Sequence, residues 1–266
     1  MNYFAAKFTN ANIAQDAAPY DSSLFLALNE KISKVQPSSH KNFSIALLSA
    51  MLVAQKRGDA VSALFQDATK DESDENVKET FILVREALAL AAPFVGFPSC
   101  MPAVFGLVGE LRKRGIDEVP TKPRLRFGFD KFDYATEGVS AFQKVYRGVG
   151  NSEVGKMLDQ YFPDISYYAN TAVFGYLLSG NSLLALQEKE LVLASGIFAQ
   201  GAIRQSQSHC KAAIQLGNRV EVVQALSDAS VEVALWNKNP LPAVINVRQL
   251  EEEVKRNLAA LGVESQ

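Results

Sequence analysis

Residues 186–236, LQEKELVLASGIFAQGAIRQSQSHCKAAIQLGNRVEVVQALSDASVEVALW, decide the fold. Their apolar positions recur every three or four residues, which predicts three consecutive helices. Gly217 supplies the left-handed stop that closes the second helix. Asn218 and Glu221, three apart, suit a capping-box start to the third. The first helix carries an acid, Glu190, and the second a histidine, His209, near its middle.

Outward from this stretch the same periodicity continues. Helices are expected at 136–146, 152–161 and 165–178, with a turn at Gly180 and Asn181. On the other side Pro240 and Pro242 interrupt the chain before a last amphipathic helix at 243–261. Nearer the N-terminus residues 22–35 read as a short amphipathic segment, and helices are expected at 40–57 (stopped by Gly58), 59–68, 77–94 and 101–114, with Pro93, Gly96 and Pro98 breaking the third of these. Residues 70–79, KDESDENVKE, read as a solvated connector and helix start. The one β-like run is 124–132, so the expectation is an all-α protein.

Residues 116–136 read as a linker, with Pro120, Pro123 and a short basic cluster of Lys122, Arg124 and Arg126 that suits an exposed connector. The segments GFPSCMPAVFGLVGEL (96–111) and WNKNPLPAVINVRQLEEE (236–253) echo one another, each with Pro-Ala-Val after a long helix. The expectation is therefore two divergent helical units in tandem, 1–115 and 137–266, packed as one pseudo-symmetric body.

Composition removes several function classes. With 266 residues, 48% of them hydrophobic, the chain can bury a sizeable core. A net charge of −2 argues against a nucleic-acid partner. Two cysteines and two histidines exclude a disulfide scaffold and a Cys/His zinc site, and they fit a reducing intracellular compartment. No apolar run reaches the roughly 18 residues of a membrane span. The first 25 residues lack a signal or presequence pattern, and Glu264-Ser265-Gln266 is no Ser-Lys-Leu type tripeptide. Cytoplasm is the default compartment, with mitochondrion and peroxisome left open.

Residues 143–250 resemble the carboxymuconolactone decarboxylase-like family, which includes the alkylhydroperoxidase D (AhpD-like) proteins. Tyr168-Ala-Asn-Thr-Ala-Val-Phe-Gly-Tyr is similar to that family's helix ending in an aromatic-Gly step. Gln187-Glu-Lys-Glu-Leu-Val-Leu-Ala-Ser and His209-Cys-Lys-Ala-Ala-Ile-Gln-Leu-Gly resemble its next two helices. Residues 40–115 match only in their last third, through Arg85-Glu-Ala-Leu and Gly96-Phe-Pro, and tandem divergent chains of this kind resemble the fungal members.

The resemblance implies an AhpD-like fold, no cofactor and a homo-oligomer. It places Glu190 at the relay glutamate and His209 at the histidine. The Cys-x-x-Cys pair of the peroxidase branch would fall at Ala202 and Gln205, so peroxide reduction through a thiolate pair is excluded. What survives is acid–base chemistry on a small acidic or lactone-like substrate. His209 would be the general acid/base, Glu190 its orienting or relay partner, and Gln205, four residues back, a polar substrate contact. Leu64 stands near the histidine position of the first unit, so any site belongs to the second.

Two other readings stand beside this one. One is a catalytically inactive scaffold that binds a ligand or a protein. The other is thiol chemistry at Cys210 or Cys100, although Cys210 points about 100° away from His209 on a helix.

Overall fold

The computed structural model describes residues 7–10, 13–36, 38–119, 128–151, 153–180 and 182–263. Lys122, Arg124, Arg126 and Asn181 lie outside the described residues, as do residues 124–127 of the β-like run. Among the described residues there is no strand, and the protein is all-α. The main helices are α1 (Ser22–Val35), α2 (Phe43–Ala54), α3 (Ala60–Ala68), α4 (Asp74–Val95), α5 (Phe97–Lys113), α6 (Tyr134–Tyr146), α7 (Glu153–Tyr161) and α8 (Pro163–Tyr168). A π-helix, Ala169–Ser179, follows, and then α9 (Leu186–Gln200), α10 (Ile203–Gln215), α11 (Val220–Trp236) and α12 (Val247–Ala260).

The chain forms two compact units that are interleaved in sequence. The first comprises Met1–Val119, Val192–Ile203 and Gln224–Val244, and the second Pro120–Leu191, Arg204–Val223 and Ile245–Gln266.

The first unit is built around α2, FSIALLSAMLVA, which is apolar on every side and buried from Phe43 to Val53. A helix without a polar face is stable only when surrounded, and α1, α3, α4 and α5 all pack on it. The starts of α1 and α4 follow from capping, since Asp21 accepts from the Leu24 amide and Ser73 from the Asn76 amide. The expected break at Pro93 does not occur. Helix α4 runs on to Val95 and stops at Gly96, whose φ of 88° suits glycine, and α5 begins at once with Pro98 in its first turn. Proline is tolerated there because a first-turn amide has no helical partner to lose. The two Pro-Ala-Val segments also differ, since 102–104 lies within α5 and 242–244 lies outside any helix.

The second unit positions the candidate site. Its backbone contains one departure from the sequence expectation, because 165–178 is not a single α-helix. After the short α8 the chain loosens into an 11-residue π-helix, long for an element that usually spans one turn. Helix α6 packs along it at very short range. A β-carbon on Gly138 would sit 1.7 Å from the Asn170 carbonyl oxygen, and one on Gly175 would sit 2.1 Å from that of Tyr134. Only glycine at both positions permits this approach.

Candidate functional site

Glu190 lies near the start of α9, in the run Glu188-Lys189-Glu190, where a solvated first turn is the simplest expectation. The three side chains divide the work differently. Glu188 Oε2 accepts from the Ala185 amide at 3.0 Å and caps the helix. Lys189 is buried, and its ammonium donates to the carbonyls of Leu178 at 2.7 Å and Gly180 at 3.0 Å. It thereby holds the end of the π-helix, whose last carbonyls lack helical partners. Glu190 points inward and is fully buried.

His209 lies on α10, whose buried face carries Ser206, His209, Cys210, Ala212 and Ala213. Its Nδ1 is 2.7 Å from Glu190 Oε1, and its ring is 3% exposed. A carboxylate only accepts, so Nδ1–H donates, which leaves Nε2 of a neutral ring as an acceptor. The Tyr146 hydroxyl lies 3.3 Å from Nε2 and donates to it in that state. The tyrosine ring also meets the imidazole edge-on, at 5.9 Å between centroids. The three residues thus form one line, carboxylate to imidazole to phenol. Glu190 Oε2, fully buried, has no hydrogen-bond partner among the described residues.

Tyr146 was not anticipated from the sequence. It is half-buried at the end of α6 and lines a cavity of about 420 Å³. Val139, Phe142 and Leu158 give that cavity an apolar wall, while Arg147, Lys156 and Asn170 give it a polar one. Burial raises the Tyr146 hydroxyl above its ordinary value of 10.0, and the charge of Glu190 adds to the effect. Tyr146 is therefore a neutral phenol at working pH, suited to donate a proton.

Gln205, expected on the histidine's face, lies in the first turn of α10 and is exposed, whereas Ser206 is buried. Both thiols are buried and neither is activated. Burial pushes Cys100 up to about 11 and Cys210 up to about 12. Among the described residues no group of three His, Cys, Asp or Glu side chains could hold a metal ion, and no helix is long and apolar enough to cross a membrane.

These buried acids carry a pH prediction. In the unfolded chain the thiols ionise near 9.0 and tyrosine near 10.0, whereas the folded protein holds all three protons to higher pH. Above pH 9 the native state binds more protons than the unfolded state, so stability falls as pH rises. The stabilisation is complete below pH 9 and is lost progressively above it. Urea midpoints should be flat from pH 7 to 8.5 and drop between pH 9 and 11. Thiol labelling of the folded protein should stay slow at neutral pH.

No family model matches the chain. It is similar to the protein named Peroxisomal protein 2 of Saccharomyces cerevisiae, with 27% identity over 99 residues that cover 37% of this chain. Those residues span 35% of that relative, so the chain matches about a third of its length.

Proposed function

We propose that the protein is a carboxymuconolactone decarboxylase-like, cofactor-free enzyme that moves protons on a small acidic or lactone-like substrate. The observation that carries this reading is the hydrogen-bonded line from buried Glu190 through His209 to Tyr146, whose ring lines a cavity. In this mechanism Tyr146 meets the substrate, and His209 sits behind it as the proton reservoir. The phenol oxygen takes a proton from the substrate as its own proton passes to Nε2 of the neutral His209 ring. The imidazolium so formed returns that proton to Tyr146, which delivers one to another substrate carbon or oxygen as the product forms. Glu190 remains the counter-ion through Nδ1–H. A buried carboxylate is suited to this role because it holds the ring's orientation and tautomer. Arg147 and Lys156 on the cavity wall suit a carboxylate-bearing substrate. Turnover of a panel of small lactones and keto acids tests the proposal, and a wild-type protein inert to all of them would contradict it.

A second reading, a ligand-binding scaffold without turnover, draws on the burial of His209 and Glu190. It predicts binding from the same panel with no product.

The partial similarity to a yeast protein named as peroxisomal supports the peroxisome as the compartment of action. Imaging of the tagged chain should give puncta that overlap a peroxisomal marker; diffuse signal would contradict this.

A further inference from the structure

The chain leaves α6 through a turn, 147–149, that two other helices hold in place. Gln215 of α10 donates to the Val145 carbonyl at 2.9 Å, and Asn257 of α12 donates to that of Gly148 at 2.9 Å. Carbonyls at a helix end lack helical partners, and here side chains supply them. The packing is close, since β-carbons on Gly148 and Gly150 would lie 3.0 Å from Gln215 Cβ and 2.6 Å from Asn257 Nδ2. Arg147 sits in this fixed turn, next in sequence to Tyr146. Beside it lies a second cavity, of about 390 Å³, walled by the turn, the end of α10, the start of α11 and α12. Arg147 lines this cavity as well as the one that Tyr146 lines.

The charges of the second cavity point to its ligand. Arg147, Arg219 and Lys255 reach it from three elements, against one acid, Glu251. That acid is already engaged, by Lys255 at 3.0 Å and Arg248 at 3.3 Å, and the hydrogen bond from Lys255 above all holds its carboxyl below the ordinary range. The wall is thus basic on a chain whose net charge is −2. Cations converging on one cleft raise its potential and draw in an anion, and guanidinium groups bind phosphate oxygens in pairs. We infer that this cavity holds a phosphate group, and that the substrate is a small acid or lactone extended by a phosphate-ester tail. Its reacting head lies in the Tyr146 cavity, and Arg147, shared by both cavities, is the joint between head and tail. A phosphate monoester carries about two negative charges at neutral pH and three acceptor oxygens, which suits Arg147 and Arg219 together, whereas a carboxylate has one charge and two oxygens. A bounded cavity on an acidic chain does not suit a nucleic acid, whose backbone needs an extended basic groove. The head rests on the proposed acid–base reading; the phosphate site does not.

Calorimetric titration of the full chain with inorganic phosphate tests the site without any turnover. Binding should be saturable, and Arg147→Gln and Arg219→Gln, both at exposed positions, should each weaken it at least about ten-fold. Tyr146→Phe and Lys34→Gln, the latter exposed on α1, should leave it unchanged. Phosphoenolpyruvate and pyruvate then test the joint, because the first joins a phosphate to a carboxylate and the second has the carboxylate alone. Phosphoenolpyruvate should bind at least about ten-fold more tightly, and Arg219→Gln should erase that difference. No saturable phosphate binding, binding indifferent to both arginine substitutions, or equal affinity for the two acids would overturn the inference. A wild type that turns over unphosphorylated lactones yet ignores phosphate would sink this inference alone and leave the acid–base reading standing. Phosphate binding that Arg219→Gln abolishes, in a protein inert to every lactone, would uphold the phosphate site while removing the acid–base reading.

Discussion

Tyr146→Phe is expected to lower turnover roughly 100-fold or more, the usual share of a positioned acid, while leaving the fold intact. The ring keeps its contacts with Phe142 at 4.7 Å and Phe174 at 5.9 Å. Only the oxygen is lost, and with it the link between His209 Nε2 and the cavity. The cost to stability is that of one hydrogen bond, about 1 kcal/mol. Substituting His209 instead would strand Glu190 as a buried, unpaired carboxylate, and breaking such a pair costs about 3–5 kcal/mol. Loss of activity in a His209 variant would then be confounded with loss of structure. Comparing kcat and Tm for the wild type and Tyr146→Phe separates the two effects. A variant that turns over substrate as fast as the wild type would remove Tyr146 from the mechanism.

Gly138→Ala is expected to destabilise the second unit by roughly 3 kcal/mol, at the upper end of the usual range for overpacking. The new methyl would lie 1.7 Å from the Asn170 oxygen and 2.9 Å from the Gly175 nitrogen. Both neighbours are backbone of the π-helix, so no side chain can swing away to relieve the clash. Gly196→Ala is the matched control, because it is also helical but its β-carbon would meet nothing closer than the Ala50 oxygen at 3.6 Å. That substitution should be neutral or gain up to about 1 kcal/mol from helix propensity. Urea melts of both variants check the pair. Equal stabilities would mean that α6 and the π-helix do not approach as described.

The all-α class was legible because helical spacing ran almost the whole length of the chain. Residues 22–35 were read as an amphipathic segment and are helix α1, whose start is fixed by the Asp21 cap, a signal the sequence reading did not use. The partnership of Glu190 and His209 came only from the family resemblance, because nineteen residues and a turn separate the two and no local rule joins them. Tyr146 was invisible for a related reason. It is 63 residues from His209 in sequence, and a tyrosine at helical spacing reads as ordinary core. The π-helix has no composition of its own; its sequence sign was the Phe174-Gly175 step, read as a motif rather than as a site of close backbone approach. Gln205 was placed by spacing from His209, but in the first turn of α10 it is the adjacent Ser206 that is buried and Gln205 that is exposed.

The most direct test of the relay is long-range ¹H–¹⁵N NMR of the His209 ring, in a chain whose one other histidine is His40. The geometry predicts a proton on Nδ1, where Glu190 accepts it, and an Nε2 that accepts from Tyr146. The Nε2 resonance should therefore move in Tyr146→Phe, and it should move again in the wild type when a small carboxylate or lactone enters the cavity. A proton found on Nε2 of the neutral ring, or an Nε2 signal indifferent both to Tyr146→Phe and to every compound, would contradict the account.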